Sequence, residues 1–281
     1  MAKKTLEQYI KELERQSSIN LRSYEKSLQK AYRELIRSMQ NVISDVYTKI
    51  GDDAETMFAN LNKYSRKDNV EGQLTYLINE FSKKKYKGMY DHLREQLLFA
   101  YQYYYTGLTN VSGKIYKMTP LKTEWIRSMI ENEISGLTLK ETLQRQRQNV
   151  IYQIKSNLIQ GINQGESYVK MANRIKDVVN GDYKKAINTA HTETHRVREE
   201  GTYNSALDGQ KHGIRQVKTW NNVTDERSRD NHKRIDGTTI ELDEYFDLGH
   251  GIKTLIPGKS GYASEDCFCR CFLTYKIVDE D

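Results

Sequence analysis

The sequence predicts an α+β protein, with a long, mostly helical N-terminal two-thirds followed by a small α+β C-terminal domain holding a short, mainly antiparallel sheet. Three observations predict it. Apolar residues recur at helical spacing as far as Leu207, the two prolines are Pro120 and Pro257, and beyond Gly213 the apolar period shortens toward two. Of 281 residues, 37% are hydrophobic and 29% charged, and mean hydropathy is −0.81. That is too polar for one large core and too rich in Tyr, Leu and Ile for disorder. The expected division is a helical region over 1–118 and a second domain over 119–281, with helices in 120–208 and strands in 213–278.

A first helix is expected over about 5–50. Leu21, Leu28, Leu35 and Val42 recur every seven residues with Tyr32, Met39 and Val46 between them, the alternation of a narrow apolar seam. Such a helix is not stable alone, so the seam must lie on another helix of this chain or of a neighbouring subunit; packing within the chain is the favoured reading. Gly51-Asp52-Asp53 reads as a break. A second helix covers about 67–106, with Leu74, Ile78, Phe81, Met89, Leu93 and Leu97 on helical spacing. Tyr101, Tyr103, Tyr104 and Tyr105 crowd its end and suggest a partly wet interface, because each ring buries area while its hydroxyl stays solvated. Residues 107–119 read as a linker.

Thr119-Pro120 signals the start of a helix carrying Trp125, Ile126, Met129 and Ile130, which Gly136 ends. Thr138-Leu139-Lys140-Glu141 is a capping box opening a helix to about Asn163, stopped by Gly165. A short helix over 167–179 stops at Asn180-Gly181. Asp182 then caps another, which Asp208-Gly209 ends. Ile214, Val217 and Trp220 suit a strand. Asp236-Gly237 is a turn ahead of 238–242, consistent with a hairpin. Pro257-Gly258 and Gly261 mark a loop, and a final strand is expected over about 267–278.

Forty-four basic against 38 acidic residues give a net charge of +6. The signs are interspersed, which argues against a dedicated nucleic-acid-binding domain and leaves weak, salt-sensitive contact with double-stranded DNA. The densest basic run, Lys83-Lys84-Lys85-Tyr86-Lys87, reads as a solvated helix face. No apolar stretch approaches the ~20 residues needed to cross a bilayer, so no membrane anchor is expected. Met1-Ala2-Lys3-Lys4 opens without the apolar stretch of a signal peptide, so the expected compartment is a cytoplasm. There, clustered cysteines are thiols or ligands more often than disulfides.

All three cysteines fall in Cys267-Phe268-Cys269-Arg270-Cys271. On a regular strand they would share one face with Cα atoms ~6.7 Å apart. Thiolates on one zinc need sulfurs within about 4 Å of each other. A straight strand does not supply that bite, but rotation of one pair could, with His232 and either Asp225 or Asp230 completing a site. Cys269, Cys271 and His232 are therefore the candidate zinc ligands, weighed against the commoner reading of small thiols buried in a strand core. No other cofactor is expected. Asp225, Arg227, Arg229, Asp230, His232 and Asp236 also gather acid, base and guanidinium groups. One reading makes His232 a general base; the favoured one is a polar loop braced by Arg–Asp pairs, since no nucleophile or phosphate loop accompanies it. No catalytic residue is assigned. His191 and His195, with Glu193 between them, imitate a metal pair without the Glu that such a motif places next to the first His, and read as a helix-surface pair.

Taken in order, Trp220, Asp225, Arg227, Arg229, His232, Asp236-Gly237, Pro257-Gly258 and Cys269-Arg270-Cys271 resemble the signature of the phage Mu F-like minor head proteins, the phage head morphogenesis family. Thr192-Glu193 is similar to a Thr-Glu pair usual before the first strand of that family, and the lead-in with Gly165 and Ser167 also fits. The resemblance covers about 140–277; His191 stands where Arg is commoner and Cys267 is an additional thiol. It implies a structural minor head, or minor capsid, protein of a tailed bacteriophage, made in the host cytoplasm and carried inside the capsid of the virion. Implied partners are the portal protein and the major capsid or scaffolding protein during procapsid assembly, with DNA ejection as a further role. In that reading Trp220, Asp225, Arg227, Arg229, His232, Asp236, Gly237, Cys269, Arg270 and Cys271 are structural, and residues 1–118 dock on capsid or portal. The alternative is a metal-assisted hydrolase or nuclease using His232 and the cysteine cluster.

Overall fold

The computed structural model describes residues 4–50, 66–223 and 225–278. The break expected at Gly51-Asp52-Asp53 lies outside the described residues. Helices α1 (Leu6–Ile50), α2 (Arg66–Ser112), α3 (Thr123–Ile130), α4 (Leu139–Asn163) and α5 (Tyr168–Lys211) come first. Then follow β1 (Gln216–Asn221), α6 (Asp230–Arg234), β2 (Thr239–Glu241), β3 (Phe246–Gly249), β4 (Ile252–Thr254), α7 (Ala263–Asp266) and β5 (Phe272–Ile277). Central β1 pairs antiparallel with both β2 and β5, and β3 pairs with β4. The protein is thus α+β with a short antiparallel sheet. None of the described helices is long and apolar enough to cross a membrane.

Two compact units are not consecutive in sequence, whereas the sequence reading divides the chain at 118/119. A helical unit takes Tyr24–Met89 and Lys140–Asn188; a sheet unit takes Met1–Ser23, Tyr90–Leu139 and Thr189–Asp281.

In the helical unit, Leu28, Tyr32, Leu35 and Met39 of α1 pack with Leu74, Ile78, Ile154, Leu158, Met171 and Ile175. Each fully buried Leu or Ile contributes ~1.5–3 kcal/mol. The seam is therefore core of this same chain. Its C-terminal half shifts: Ile43 and Tyr47 are buried where Val42 and Val46 were expected, because a straight helix drifts ~20° per heptad from a strict seven-residue repeat. Lys85 corrects the reading of its basic run as solvated. Its Nζ lies 2.9 Å from Asp182 Oδ2, with the two side chains 1% and 7% exposed, and Tyr32 donates to the same carboxylate at 2.6 Å. Asp182 thus holds a buried cation instead of capping a helix. Accordingly α5 runs unbroken through Asn180-Gly181. A mid-helix Gly costs about 1 kcal/mol, less than the packing of Ile175, Val179 and Ala186 on either side of it supplies.

In the sheet unit, Leu6, Ile10, Tyr104, Leu108, Tyr203, Trp220, Phe246, Leu273 and Tyr275 form the core. Helix α2 passes through Gly107 and ends at Gly113, whose φ is +71°. Gly107 is a place of close approach, since a Cβ there would sit 2.8 Å from the Tyr9 ring. Three of the four tyrosines expected at a wet interface are turned inward instead, while Tyr103 stays half-exposed and accepts from Lys4 Nζ at 3.3 Å. Tyr101 donates to the Thr119 carbonyl at 2.7 Å, Tyr104 to Gln216 Oε1 at 2.5 Å and Tyr105 to the Tyr116 carbonyl at 2.5 Å. Helix α3 begins at Thr123, later than Thr119-Pro120 implied, because the Thr119 N–H is committed to Asp208 Oδ2 at 2.9 Å. The hairpin of β3 and β4 was not anticipated; His250 (φ +54°) and Gly251 (φ +76°) make its turn, the left-handed pair that two-residue hairpin turns favour.

Candidate metal centre

Two turns bring the candidate ligands together. After β1, Gly237 (φ +75°) reverses the chain. Its N–H donates to the Trp220 carbonyl at 2.9 Å, and Asp236 Oδ1 accepts the Asn222 N–H at 2.7 Å. Helix α6, held between these points, buries His232 and exposes Asp230. The second turn is at Phe268, whose φ is +57°. The strand expected over 267–278 therefore begins only at Phe272, and the three cysteines do not share one face. Cys267 is half-buried and ends α7, whereas Cys269 and Cys271, beyond the left-handed residue, are both buried.

His232 Nδ1 lies 3.4 Å from Cys271 Sγ and 3.8 Å from Cys269 Sγ. One ligand atom from each of the three residues falls within 4.8 Å of the other two. On the far side of the ring, His232 Nε2 donates to Glu265 Oε2 at 3.0 Å, and Asn231 Nδ2 donates to the same oxygen at 2.9 Å. The Trp220 indole packs edge-on against the imidazole at 5.5 Å and 89°. The two thiols are driven apart in acidity. A hydrogen bond from Cys271, together with His232, pulls Cys269 well down, while the same bond and burial push Cys271 up. His232 is 2% exposed with both ring nitrogens engaged, which does not suit a general base that must reach substrate.

Neither aspartate considered as a further ligand faces the cluster. Asp225 is clasped by the Arg270 guanidinium at 2.6 and 2.5 Å, and that pairing holds its carboxyl well below the usual range. Asp230 lies at the surface beside Lys233. Glu265 is the residue that sequence reasoning missed. Its only local signal in the sequence is a Glu265-Asp266 pair directly before the cysteines; the structure buries both at the end of α7, although acids are normally exposed.

Side chains around the cluster hydrogen-bond to its backbone. Arg229 Nη2 donates to the Cys267 carbonyl at 2.7 Å. Asp266 accepts from the Ser260 N–H, the Ser260 hydroxyl and the Gly261 N–H, and burial raises its carboxyl. From α5, Thr192 Oγ1 accepts the Phe268 N–H at 3.3 Å, His195 Nε2 donates to the Cys271 carbonyl at 2.7 Å and Glu199 accepts the Leu273 N–H at 3.1 Å. His195 is thus half-buried and does not form a surface pair with exposed His191. Glu193 binds buried Arg196 at 2.6 Å, and that guanidinium in turn caps the Met129 and Ile130 carbonyls at the end of α3. Beside the cluster lies a cleft of about 700 Å³ whose wall includes Arg198, Arg227, Arg229, Arg270, Phe268 and Cys269.

The profile of the family described as Phage Mu protein F like protein matches residues 152–274. The chain is 30% identical over 259 residues to the minor head protein GP7 of Bacillus phage SPP1, covering 91% of this chain and 83% of that protein. It is 26% identical over 276 residues to the NAD(+)–arginine ADP-ribosyltransferase EFV of Enterococcus faecalis, covering 98% of this chain but 55% of that protein, about half its length. No solved structure matches.

Proposed function

The chain belongs to the phage Mu protein F-like family, and on that premise we propose that it is a minor head protein of a tailed bacteriophage, acting by binding and not by turnover. The observation that carries this reading is the match to a phage minor head protein over 91% of this chain and 83% of the relative. The match spans 83% of that relative's length, so most of its architecture is the unit being compared. The likeness to the ADP-ribosyltransferase covers 55% of that enzyme, and we assign the shared part to the head-protein role. The buried imidazole and the salt-bridged Asp225 support a bracing role for the motif.

In this reading the protein sits inside the capsid, contacts the portal and the major capsid or scaffolding protein during procapsid assembly, and touches packaged DNA weakly through its net charge of +6. With the α1 seam and the hydroxyls of Tyr101, Tyr104 and Tyr105 turned inward, docking falls to exposed features such as Phe268 (57% exposed) and Arg227 (side chain 82% exposed). The test is to purify procapsids and mature particles from phage that carry the wild-type chain or a folded Phe268→Ser, Arg227→Glu variant. Wild-type chain recovered at a few copies with the portal, and depleted in the variant, supports the proposal. A chain absent from both kinds of particle refutes it.

A further inference from the structure

We propose that His232, Cys269 and Cys271 bind one zinc ion that has a structural role in the sheet unit. The argument begins with distance. Bonds of ~2.3 Å to sulfur and ~2.05 Å to nitrogen in a tetrahedron set sulfur and nitrogen about 3.6 Å apart; the two separations from His232 Nδ1 are 3.4 and 3.8 Å. Orientation follows. Glu265 accepts a hydrogen bond from Nε2–H at 3.0 Å, which leaves the Nδ1 lone pair facing the two sulfurs. A carboxylate behind a histidine is the arrangement that orients metal-bound imidazoles.

Two unsatisfied donors add an independent observation. The indole N–H of Trp220 and the amide nitrogen of Asn222 are buried and make no well-formed hydrogen bond, the indole lying beside the Cys271 sulfur. Asn222 meets Cys271 Sγ through its oxygen at 3.4 Å, and exchanging its oxygen and nitrogen, which look alike in shape, turns a donor toward that sulfur. Buried donors left idle beside sulfur fit metal-bound thiolates, which accept hydrogen bonds strongly; neutral thiols accept them weakly. Burial points to a structural role, since His232, Cys269 and Cys271 are 2%, 4% and 3% exposed and structural zinc sites are closed to substrate. The ion would tie α6 to the start of β5 beside β1, in a unit whose strands are three to six residues long. Three protein ligands leave the fourth tetrahedral position to a water-sized oxygen donor, and the 2–4% exposure of the ligands keeps that position from anything larger.

The full-length chain, produced with zinc and dialysed against metal-free buffer, is expected to retain one zinc by elemental analysis. After exchange it should show the thiolate-to-metal and ligand-field absorption of tetrahedral cobalt(II). Cys269→Ser, Cys271→Ser and His232→Ala should lose the ion, whereas Cys267→Ser keeps it. Glu265→Gln should weaken zinc about 10–100-fold while retaining the cobalt spectrum, the behaviour of a positioning residue. A folded wild-type chain that takes up neither zinc nor cobalt(II) overturns the proposal, as does stoichiometric binding that survives Cys269→Ser combined with Cys271→Ser. The wild-type measurement stands even where a variant fails to fold. Metal content is read without phage particles, so a negative result leaves the head-protein reading untouched.

Discussion

Replacing Asp182 with Ala isolates a buried charge at the heart of the helical unit. Lys85 and Asp182 face each other at 2.9 Å with side chains 1% and 7% exposed, and Tyr32 approaches both, at 2.6 Å from Asp182 and 3.2 Å from Lys85. The gross attraction at an effective dielectric near 20 is about 6 kcal/mol, most of it offset by the desolvation of both ions. Removing one partner forfeits the attraction and keeps the desolvation, so Asp182→Ala is expected to cost ~3–5 kcal/mol. Replacing the pair by Lys85→Met and Asp182→Leu together with Tyr32→Phe, which removes the hydroxyl that both ions hold, should be nearly neutral, because Asp182 Oδ1 already lacks a hydrogen-bond partner and the surroundings are apolar. Urea denaturation followed by far-UV circular dichroism measures both effects, with an unchanged m-value as the check that the unfolding unit is the same. A loss under about 1 kcal/mol in the single variant, or a triple variant as unstable as the single one, would show that the pair is not the buried, coupled unit described here.

His92, 7% exposed and bonded through Nε2 to Thr194 Oγ1 at 3.0 Å, has its pKa lowered by burial to about 4. Between about 6.5 and 4 the unfolded chain binds a proton that the folded chain refuses; the stability fully present above pH 6.5 is therefore lost as pH falls through that window, by ~3 kcal/mol at most. His92→Gln should flatten the acid limb of Tm against pH, and an unchanged limb would assign the proton elsewhere. Gly201→Ala places a Cβ 2.5 Å from the Leu97 carbonyl oxygen and 3.0 Å from the Ala100 Cβ, which is expected to lower stability by ~1–3 kcal/mol in urea; a neutral result would contradict that close approach. Phe268→Gly relieves a left-handed backbone at an exposed ring and should leave stability unchanged or raise it by up to ~1 kcal/mol. A clear loss would mean that the ring packs.

Sequence alone determined the helical majority, the short antiparallel sheet and the family, because each is written in local signals. Helical spacing marked α1, α2 and α4, alternation marked β1, and the order of Trp220, the Asp and Arg residues, His232 and the cysteines marked the motif. Tertiary structure decided the rest. Gly107 and Gly181 read as breaks, yet helices pass through both, since a glycine penalty near 1 kcal/mol is outweighed by buried neighbours or by an aromatic ring that needs the space. Lys85 read as solvated until a carboxylate 97 residues away was folded onto it. Glu265 joins His232 across 33 residues, and a single left-handed residue, Phe268, turns an expected strand into the bend that aims two thiols at one imidazole. Pairings of that kind depend on where distant backbone is carried, and no window of neighbouring residues holds that information.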